Sequence, residues 1–295
     1  MIGAGAAGRI HARLLSERGL QVAVYDVQGG RAAALAREVG GGATADYLTD
    51  ADVAVVAVPT SAHYEYARAL LDAGHVVVCE KPLALYPEQA AELVQSAGGR
   101  LYVAESQGYG ADQAEMGRAI RGGEYGRPVM WRVCAMSPYR SQEWSYDLRA
   151  GGGAFLEGGA HVATVARMLF GQAVAWHGAV RSFAGGDGPD TGQLIIEYEY
   201  GDMLTLQIAW GTADCWAGKC PPLANSAGLI GPQKCLPWWP GDNHAAMWDA
   251  LLPAIEAGAQ PLITAKHAAG AVADIWRCYR AGGVSVGDYI EPGGD

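Results

Sequence analysis

Lys81 stands in Glu80-Lys81-Pro82, directly after the apolar run Val76-Val77-Val78-Cys79, and no other lysine precedes Lys219 in a chain with seventeen arginines and four lysines. A guanidinium keeps its proton, whereas a partly desolvated ammonium can be tuned toward neutrality and can donate or shuttle a proton. A lone lysine at the mouth of a predicted buried strand therefore points to chemistry that arginine cannot perform. Its plainer reading is a strand-end ion pair with Glu80. Pro82 pushes the residue before it toward extended backbone, which aims the Lys81 side chain.

A second chemical signal opens the chain. Gly3-Ala4-Gly5-Ala6-Ala7-Gly8 matches GxGxxG and runs into Arg9-Ile10-His11-Ala12-Arg13-Leu14-Leu15, whose apolar spacing predicts a helix. By itself the motif is weak, and an ordinary glycine turn fits it. Context strengthens it: a strand follows at Gln21 to Tyr25 and ends in Asp26, 18 residues beyond Gly8. In this Rossmann arrangement the first glycine makes a tight turn, the second lets backbone approach a pyrophosphate, and the third packs helix on strand. The helix start around Ala6 and Ala7 supplies the anion site. An aspartate at the end of the second strand accepts hydrogen bonds from both ribose hydroxyls of NAD and repels the 2′-phosphate of NADP, so Asp26 predicts NAD in preference to NADP.

These residues need a scaffold, and the pattern supplies one. Strands at 51–58, 76–79 and 101–104 alternate with helices at 64–73 and 87–97, which predicts a doubly wound parallel sheet. Ligands of such sheets sit beyond the carboxyl ends of the strands. Pro59, Thr60 and His63, then Glu80 and Lys81, then Glu105-Ser106-Gln107 all fall there, with the first two groups assigned to cofactor binding. Only Met1 and Ile2 precede the glycine loop, fewer than the four to eight residues of a buried parallel strand, so the true start is expected upstream of Met1.

The second half alternates differently. Strands are predicted at 128–136, 173–183, 192–200 and 203–210, the last two forming a hairpin across Gly201-Asp202, with a shorter strand at 228–231. Helices are predicted at 154–170, 245–256 and 265–281. The expected fold is α/β: an N-terminal Rossmann sheet over residues 1–107 and a C-terminal α+β domain with a large, mostly antiparallel sheet over 108–295. The last helix is expected to return to the first domain.

Composition excludes several partners. A formal charge of −10 argues against nucleic acid and anionic membranes, which need clustered cations. No apolar stretch approaches the ~20 residues of a membrane helix, and no signal pattern opens the chain, so the cytoplasm is the expected compartment. Cys215, Cys220, Cys235 and His244 fit no usual structural zinc spacing, and the six cysteines read as reduced thiols; no metal is predicted.

The glycine motif, Val58-Pro59-Thr60-Ser61-Ala62-His63 and, above all, Ala73-Gly74-His75-Val76-Val77-Val78-Cys79-Glu80-Lys81-Pro82-Leu83-Ala84 resemble the Gfo/Idh/MocA oxidoreductases. Gly151-Gly152-Gly153-Ala154-Phe155-Leu156-Glu157-Gly158-Gly159-Ala160-His161 resembles the family's second signature, and the likeness runs nearly end to end. It implies that Lys81 hydrogen-bonds a substrate oxygen beside the nicotinamide, that His161 is the general acid/base, and that Glu157 orients substrate or histidine. It also implies a sheet with one open face that mediates homodimer or homotetramer contacts. Alcohol oxidation does need a group titrating near neutrality at the reacting oxygen, and histidine qualifies. Glu157 and His161 are one helical turn apart and face the same way if helical. The plainer reading of His161 is a packed helix-start residue.

Departures from the family pattern bear on substrate. Glu157 and Thr164 stand where aspartates are usual, and Gly108-Tyr109 replaces an arginine-aromatic pair. Tyr109 keeps a ring and a hydroxyl for substrate. Trp144, in the aromatic segment from Tyr139 and Arg140 to Arg149, is the preferred ring for stacking on a sugar face, though the segment also reads as a packed hinge. Trp238-Trp239 reads as a stiff loop. The leading function is hydride transfer between NAD and a secondary alcohol or ketone of a sugar, amino sugar or cyclitol. Alternatives are a reductase of a C=N or other unsaturated intermediate and a non-catalytic dinucleotide sensor, the latter disfavoured by the retention of Lys81 and His161.

Overall fold

The computed structural model describes residues 1–137, 143–183, 185–211, 226–238, 241 and 243–284. Tyr139, Arg140, Cys215, Cys220, Lys219 and Trp239 lie outside the described residues.

The first sheet is parallel throughout. Its strands are β1 (Ala23–Val24), β2 (Gly42–Ala43), β3 (Val53–Val56), β4 (Val76–Glu80) and β5 (Leu101–Ala104). Ile2 bridges Tyr25 on one side and Val56 on the other, which joins β2-β1 to β3-β4-β5. The chain therefore runs outward in both directions from the residue just before the glycine loop. That reversal is the topological switch point, and the crevice at its carboxyl end is where such sheets hold ligands. Strands β4 and β5 are apolar and buried along consecutive positions, as befits strands covered on both faces. The covering helices are α1 (Ala6–Glu17), α2 (Gly29–Glu38), α3 (Thr60–Asp72) and α4 (Pro87–Ser96).

After α5 (Ala111–Arg121) comes a six-stranded sheet. It comprises β6 (Met130–Ser137), β7 (Ala173–Arg181), β8 (Thr191–Tyr198), β9 (Met203–Trp210), β10 (Ser226–Ile230) and β11 (Cys235–Pro237). The order is β11-β10-β6-β9-β8-β7, with β6 and β9 parallel and the other pairs antiparallel. The β8–β9 turn uses Gly201 at φ 76°, and the Asp202 carboxylate beside it accepts the Val129 N–H at 2.7 Å. One sheet face buries Trp131, Leu194, Leu206 and Ile208; on the other, the cross-strand row Arg132, Thr205, Ile195 and His177 remains half-buried or exposed.

The sequence predicts one helix over 154–170, but the structure has two, α6 (Gly153–Glu157) and α7 (Gly159–Phe170). Gly158 closes the first and opens the second. At Gly159 a β-carbon would lie 2.7 Å from Leu206 Cδ2, so glycine is what allows α7 to seat on the sheet.

Two C-terminal helices tie the sheets together. Helix α8 (His244–Glu256) returns to α1, where Arg18 pairs with Asp249 at 2.6 Å. Helix α9 (Ala265–Ala281) donates Trp276 Nε1–H to the Leu85 carbonyl at 2.8 Å and Tyr279 O–H to the Gly152 carbonyl at 2.8 Å. Its Asp274, fully buried, accepts both Arg167 and the Trp176 indole.

Candidate active site

The glycine loop divides its labour among three positions. Gly3 turns at φ 100°, and a β-carbon there would meet the Ala57 carbonyl oxygen at 2.3 Å. At Gly8 it would strike the Gly3 oxygen at 2.0 Å, so α1 packs against the loop itself. Gly5 faces open space, with nothing within 4 Å. This is the pattern of one glycine for the turn, one for a ligand's approach and one for packing. Helix α1 starts at Ala6 with no side-chain cap and no acid in its first turn, which leaves its amide donors and positive dipole end available to an anion. Asp26 accepts the Ala4 N–H at 2.8 Å and the Gln28 N–H at 2.8 Å, so its carboxylate is fixed at the loop's flank. Beside it, Tyr25, Tyr47 and Tyr66 form an aromatic cluster with centroid separations of 4.9 to 6.2 Å. Burial, with the Tyr25 hydrogen bond, pushes the Tyr66 phenol up to about 12. The donors, the open approach and the ribose-side carboxylate fit a dinucleotide.

Lys81 follows β4 and is joined to Pro82 by a cis peptide bond. Its Nζ donates to the backbone carbonyl of Glu157 at 2.9 Å, and the Glu157 Oε1 lies at 3.9 Å. The helix break explains the first contact. Glu157 ends α6, where carbonyls lack intrahelical partners and the dipole end is negative, so an ammonium is a natural partner. The preceding Glu80 is buried; its Oε1 accepts His11 Nε2–H at 2.6 Å and its Oε2 accepts the Lys81 N–H at 2.9 Å. Burial alone would raise the Glu80 carboxyl, but the His11 hydrogen bond and the nearby positive charges outweigh it and hold the group down to about 2. The charges acting on Glu80 include both Lys81 and His161.

His161 does not use Glu157. Its Nδ1 donates to Glu105 Oε1 at 2.6 Å, and that oxygen also accepts the Gln107 N–H at 3.0 Å. Glu105 follows β5, and β5 pairs with β4 so that Ala104 stands opposite Glu80. Lys81 and Glu105 thus leave adjacent strands side by side. With Nδ1–H committed to a fully buried carboxylate, His161 presents Nε2, which has no partner among the described residues. Glu157 ends α6 and His161 lies in the first turn of α7, with Gly158 between them, and the two residues serve different partners.

Other expected site residues are redistributed. Pro59 and Thr60 open α3 at the end of β3, as a crevice wall requires. His63 is fully engaged elsewhere: its Nδ1 faces the Pro82 carbonyl at 2.7 Å and its Nε2 the Val58 carbonyl at 2.8 Å. It clasps the two crevice lips together and keeps no ring nitrogen for a cofactor. Burial lowers its pKa despite the two carbonyls. Glu80 likewise supports Lys81 and α1, where the sequence suggests cofactor contact. Tyr109 is buried, and burial raises its phenol. Trp144 is 36% exposed and its ring lies 3.0 Å from where a Gly151 β-carbon would stand, so it rests on the glycine run. Glu105 is the important residue that the site assignment omits. Its place after β5 was visible; its partner, 56 residues away, was not.

A glycine loop on an uncapped helix, together with a lysine held by a helix-end carbonyl and a histidine held by a buried carboxylate, defines a Rossmann-type dinucleotide protein with acid–base groups at the carboxyl ends of its strands. Residues 1–102 match the model described as oxidoreductase family, NAD-binding Rossmann fold, and residues 114–220 match the GFO/IDH/MocA C-terminal domain. The chain belongs to the Gfo/Idh/MocA oxidoreductase family. It is 33% identical over 226 residues to inositol 2-dehydrogenase 2 of Saccharopolyspora erythraea, across 70% of this chain and 65% of that one. The chain thus spans just under two thirds of that relative's length. It is 27% identical over 270 residues to the 1,5-anhydro-D-fructose reductase of Ensifer adhaerens, covering 83% and 81% of the two chains. Among solved structures it resembles GenD2 from gentamicin A biosynthesis, in complex with NAD, at a TM-score of 0.81 and 22% identity over 96% of this chain and 93% of that one.

Proposed function

We propose that this protein transfers hydride between NAD and a secondary alcohol or ketone of a sugar, amino sugar or cyclitol. One observation carries the proposal: Lys81 and Glu105 leave β4 and β5 side by side, and buried Glu105 holds the His161 imidazole through Nδ1 and leaves its Nε2 open. Nicotinamide, bound along the crevice, supplies the acceptor or donor of hydride. The protein's own task is the proton. His161 Nε2 takes it from the substrate oxygen during oxidation and returns it during reduction, while Glu105 fixes the ring and stabilises the imidazolium. Lys81 donates a hydrogen bond to the same oxygen and offsets its developing negative charge. Glu157 holds Lys81 through its carbonyl and offers its carboxylate to a substrate hydroxyl; Trp144 flanks the glycine run as a stacking surface.

Gly3, Gly5, Ala6, Ala7 and Gly8 receive the pyrophosphate, and the Asp26 carboxylate receives the ribose and repels a 2′-phosphate. The relatives named inositol 2-dehydrogenase and anhydrofructose reductase support a polyhydroxylated substrate. The domain division at 107/108, association into a homodimer or homotetramer through the half-buried sheet face, and a cytoplasmic location complete this reading. No described helix is long and apolar enough to cross a membrane.

Separate titrations with NADH and NADPH, followed by a panel of polyols, sugars and nucleotide sugars assayed for NADH production at alkaline pH, test the proposal. NADH is expected to bind more tightly, and at least one secondary alcohol to be oxidised. Tighter NADPH binding refutes the Asp26 assignment. Silence across the panel, with turnover of an imine or enone instead, transfers the site to the reductase class.

A further inference from the structure

The buried histidine of α1 has no place in the proton chemistry, yet it is the most completely specified polar group in the molecule. His11 is 0% exposed. Its Nδ1 accepts the Trp248 indole N–H at 3.0 Å, and its Nε2 faces Glu80 Oε1 at 2.6 Å. An indole nitrogen can only donate, so Nδ1 must be the lone-pair nitrogen and Nε2 must carry the hydrogen. The two contacts together admit one tautomer and leave no site for a second proton.

We propose that Trp248, His11 and Glu80 form a positioning relay that locks Lys81 in place. The relay crosses three elements. Trp248 belongs to α8, beyond residue 220 where the C-terminal family match ends. His11 belongs to α1, whose first turn faces the pyrophosphate. Glu80 ends β4 and holds the Lys81 N–H at 2.9 Å, from which Lys81 Nζ extends to the Glu157 carbonyl. A shift in α8 is therefore passed to the catalytic lysine and the dinucleotide helix together. The groups that face the relay are Glu80, with Lys81 and His161 acting on it electrostatically, and His244, whose ring centroid is 5.7 Å from that of His11; Arg18 and Asp249 pair further along the same two helices.

Trp248→Phe keeps the ring and removes the donor, so His11 Nδ1 loses the partner that fixes its tautomer. His11→Gln keeps a donor for Glu80 and an acceptor for Trp248 but cannot titrate; His11→Leu keeps neither.

The inference rests on the oxidoreductase reading for its purpose, but its physical core is tested without turnover. Histidine ¹⁵N NMR on the whole protein is expected to show His11 as a single Nε2–H tautomer in the wild type, and a changed His11 ring-nitrogen signature in Trp248→Phe. An Nδ1–H or mixed tautomer in the wild type, or an unchanged His11 in Trp248→Phe, overturns the relay. With NAD and the panel alcohol that yields NADH, His11→Leu is expected to lower kcat about tenfold to a hundredfold, the scale of a misplaced reacting group, with the NAD dissociation constant changed less than about threefold. His11→Gln is expected to restore most of kcat. Equal kcat in wild type, His11→Leu and His11→Gln overturns the positioning role. Failure of the wild type to bind NAD refutes the oxidoreductase reading instead, and the NMR result still decides the relay.

Discussion

Two histidine–glutamate pairs stand within reach of Lys81 and use their rings in opposite senses. His11 donates from Nε2 and is closed at Nδ1; His161 donates from Nδ1 and is open at Nε2. Only the second can exchange a proton with a substrate. Glu105→Gln retains an acceptor for His161 but loses the charge that stabilises the imidazolium. A fall in kcat of about a hundredfold is expected in steady-state assays, with NAD affinity unchanged. Lys81→Met removes the ammonium and is expected to cost about 10²–10⁴-fold in kcat while NAD still binds. Glu157→Ala tests the backbone contact. Because Lys81 Nζ is held by the Glu157 carbonyl at 2.9 Å and the carboxylate is 3.9 Å away, this variant keeps the lysine's anchor. Its main effect is expected on substrate KM rather than on kcat, and a kcat loss equal to that of Lys81→Met contradicts the assignment.

At the scale of elements, the three loop glycines make separable demands. A methyl group on Gly5 meets nothing within 4 Å, and its φ of −78° suits any residue. Gly5→Ala is therefore expected to melt within a few degrees of wild type yet bind NAD at least about tenfold more weakly, because the methyl occupies the ligand's approach. Gly8→Ala sets a β-carbon 2.0 Å from the Gly3 oxygen, and the loop or α1 must move. About 1–3 kcal/mol of destabilisation is expected in denaturant titration. The glycine motif and its three roles were legible because they depend on residues close in sequence. The break between α6 and α7 was less so. Apolar spacing runs unbroken from Ala154 to Phe170, and the close seating of Gly159 on Leu206 of β9 exists only in the folded chain.

At the scale of the molecule, the buried titratable groups set the acid response. His63 has a lowered pKa through burial, so below its ordinary 6.5 the unfolded chain takes a proton that the native protein refuses; His267 acts in the same direction. Stability is expected to fall as pH drops below about 6.5. Glu80, held at about 2 against an ordinary 4.5, contributes stability that is present above pH 4.5 and lost between 4.5 and 2, which steepens the decline. Asp202, raised by burial, opposes that second phase. Thermal melts from pH 8 to 2 check the profile, and His63→Gln should flatten its first segment. The open face of the second sheet predicts association: light scattering is expected to give a dimer or tetramer mass, and Ile195→Arg, a charge set in the middle of that face, a smaller one. A monomeric wild type removes the sheet from that role.

The sequence by itself determined the two-sheet plan, the glycine loop with Asp26 at its flank, and the place of Lys81 at the end of its strand. These depend on short-range spacing and on residue chemistry that no context alters: where a chain turns, which strand is buried, which cation can give up a proton. Tertiary structure alone decided the partners. Glu105 rather than Glu157 holds His161, because β5 delivers Glu105 beside Lys81 while the Glu157 carbonyl is taken by Lys81. His63 and Glu80 became supports, because packing closed their polar atoms on neighbouring backbone and on His11. Trp248 reached His11 across 237 residues. No local pattern encodes such a contact, since it exists only once α8 has docked on α1.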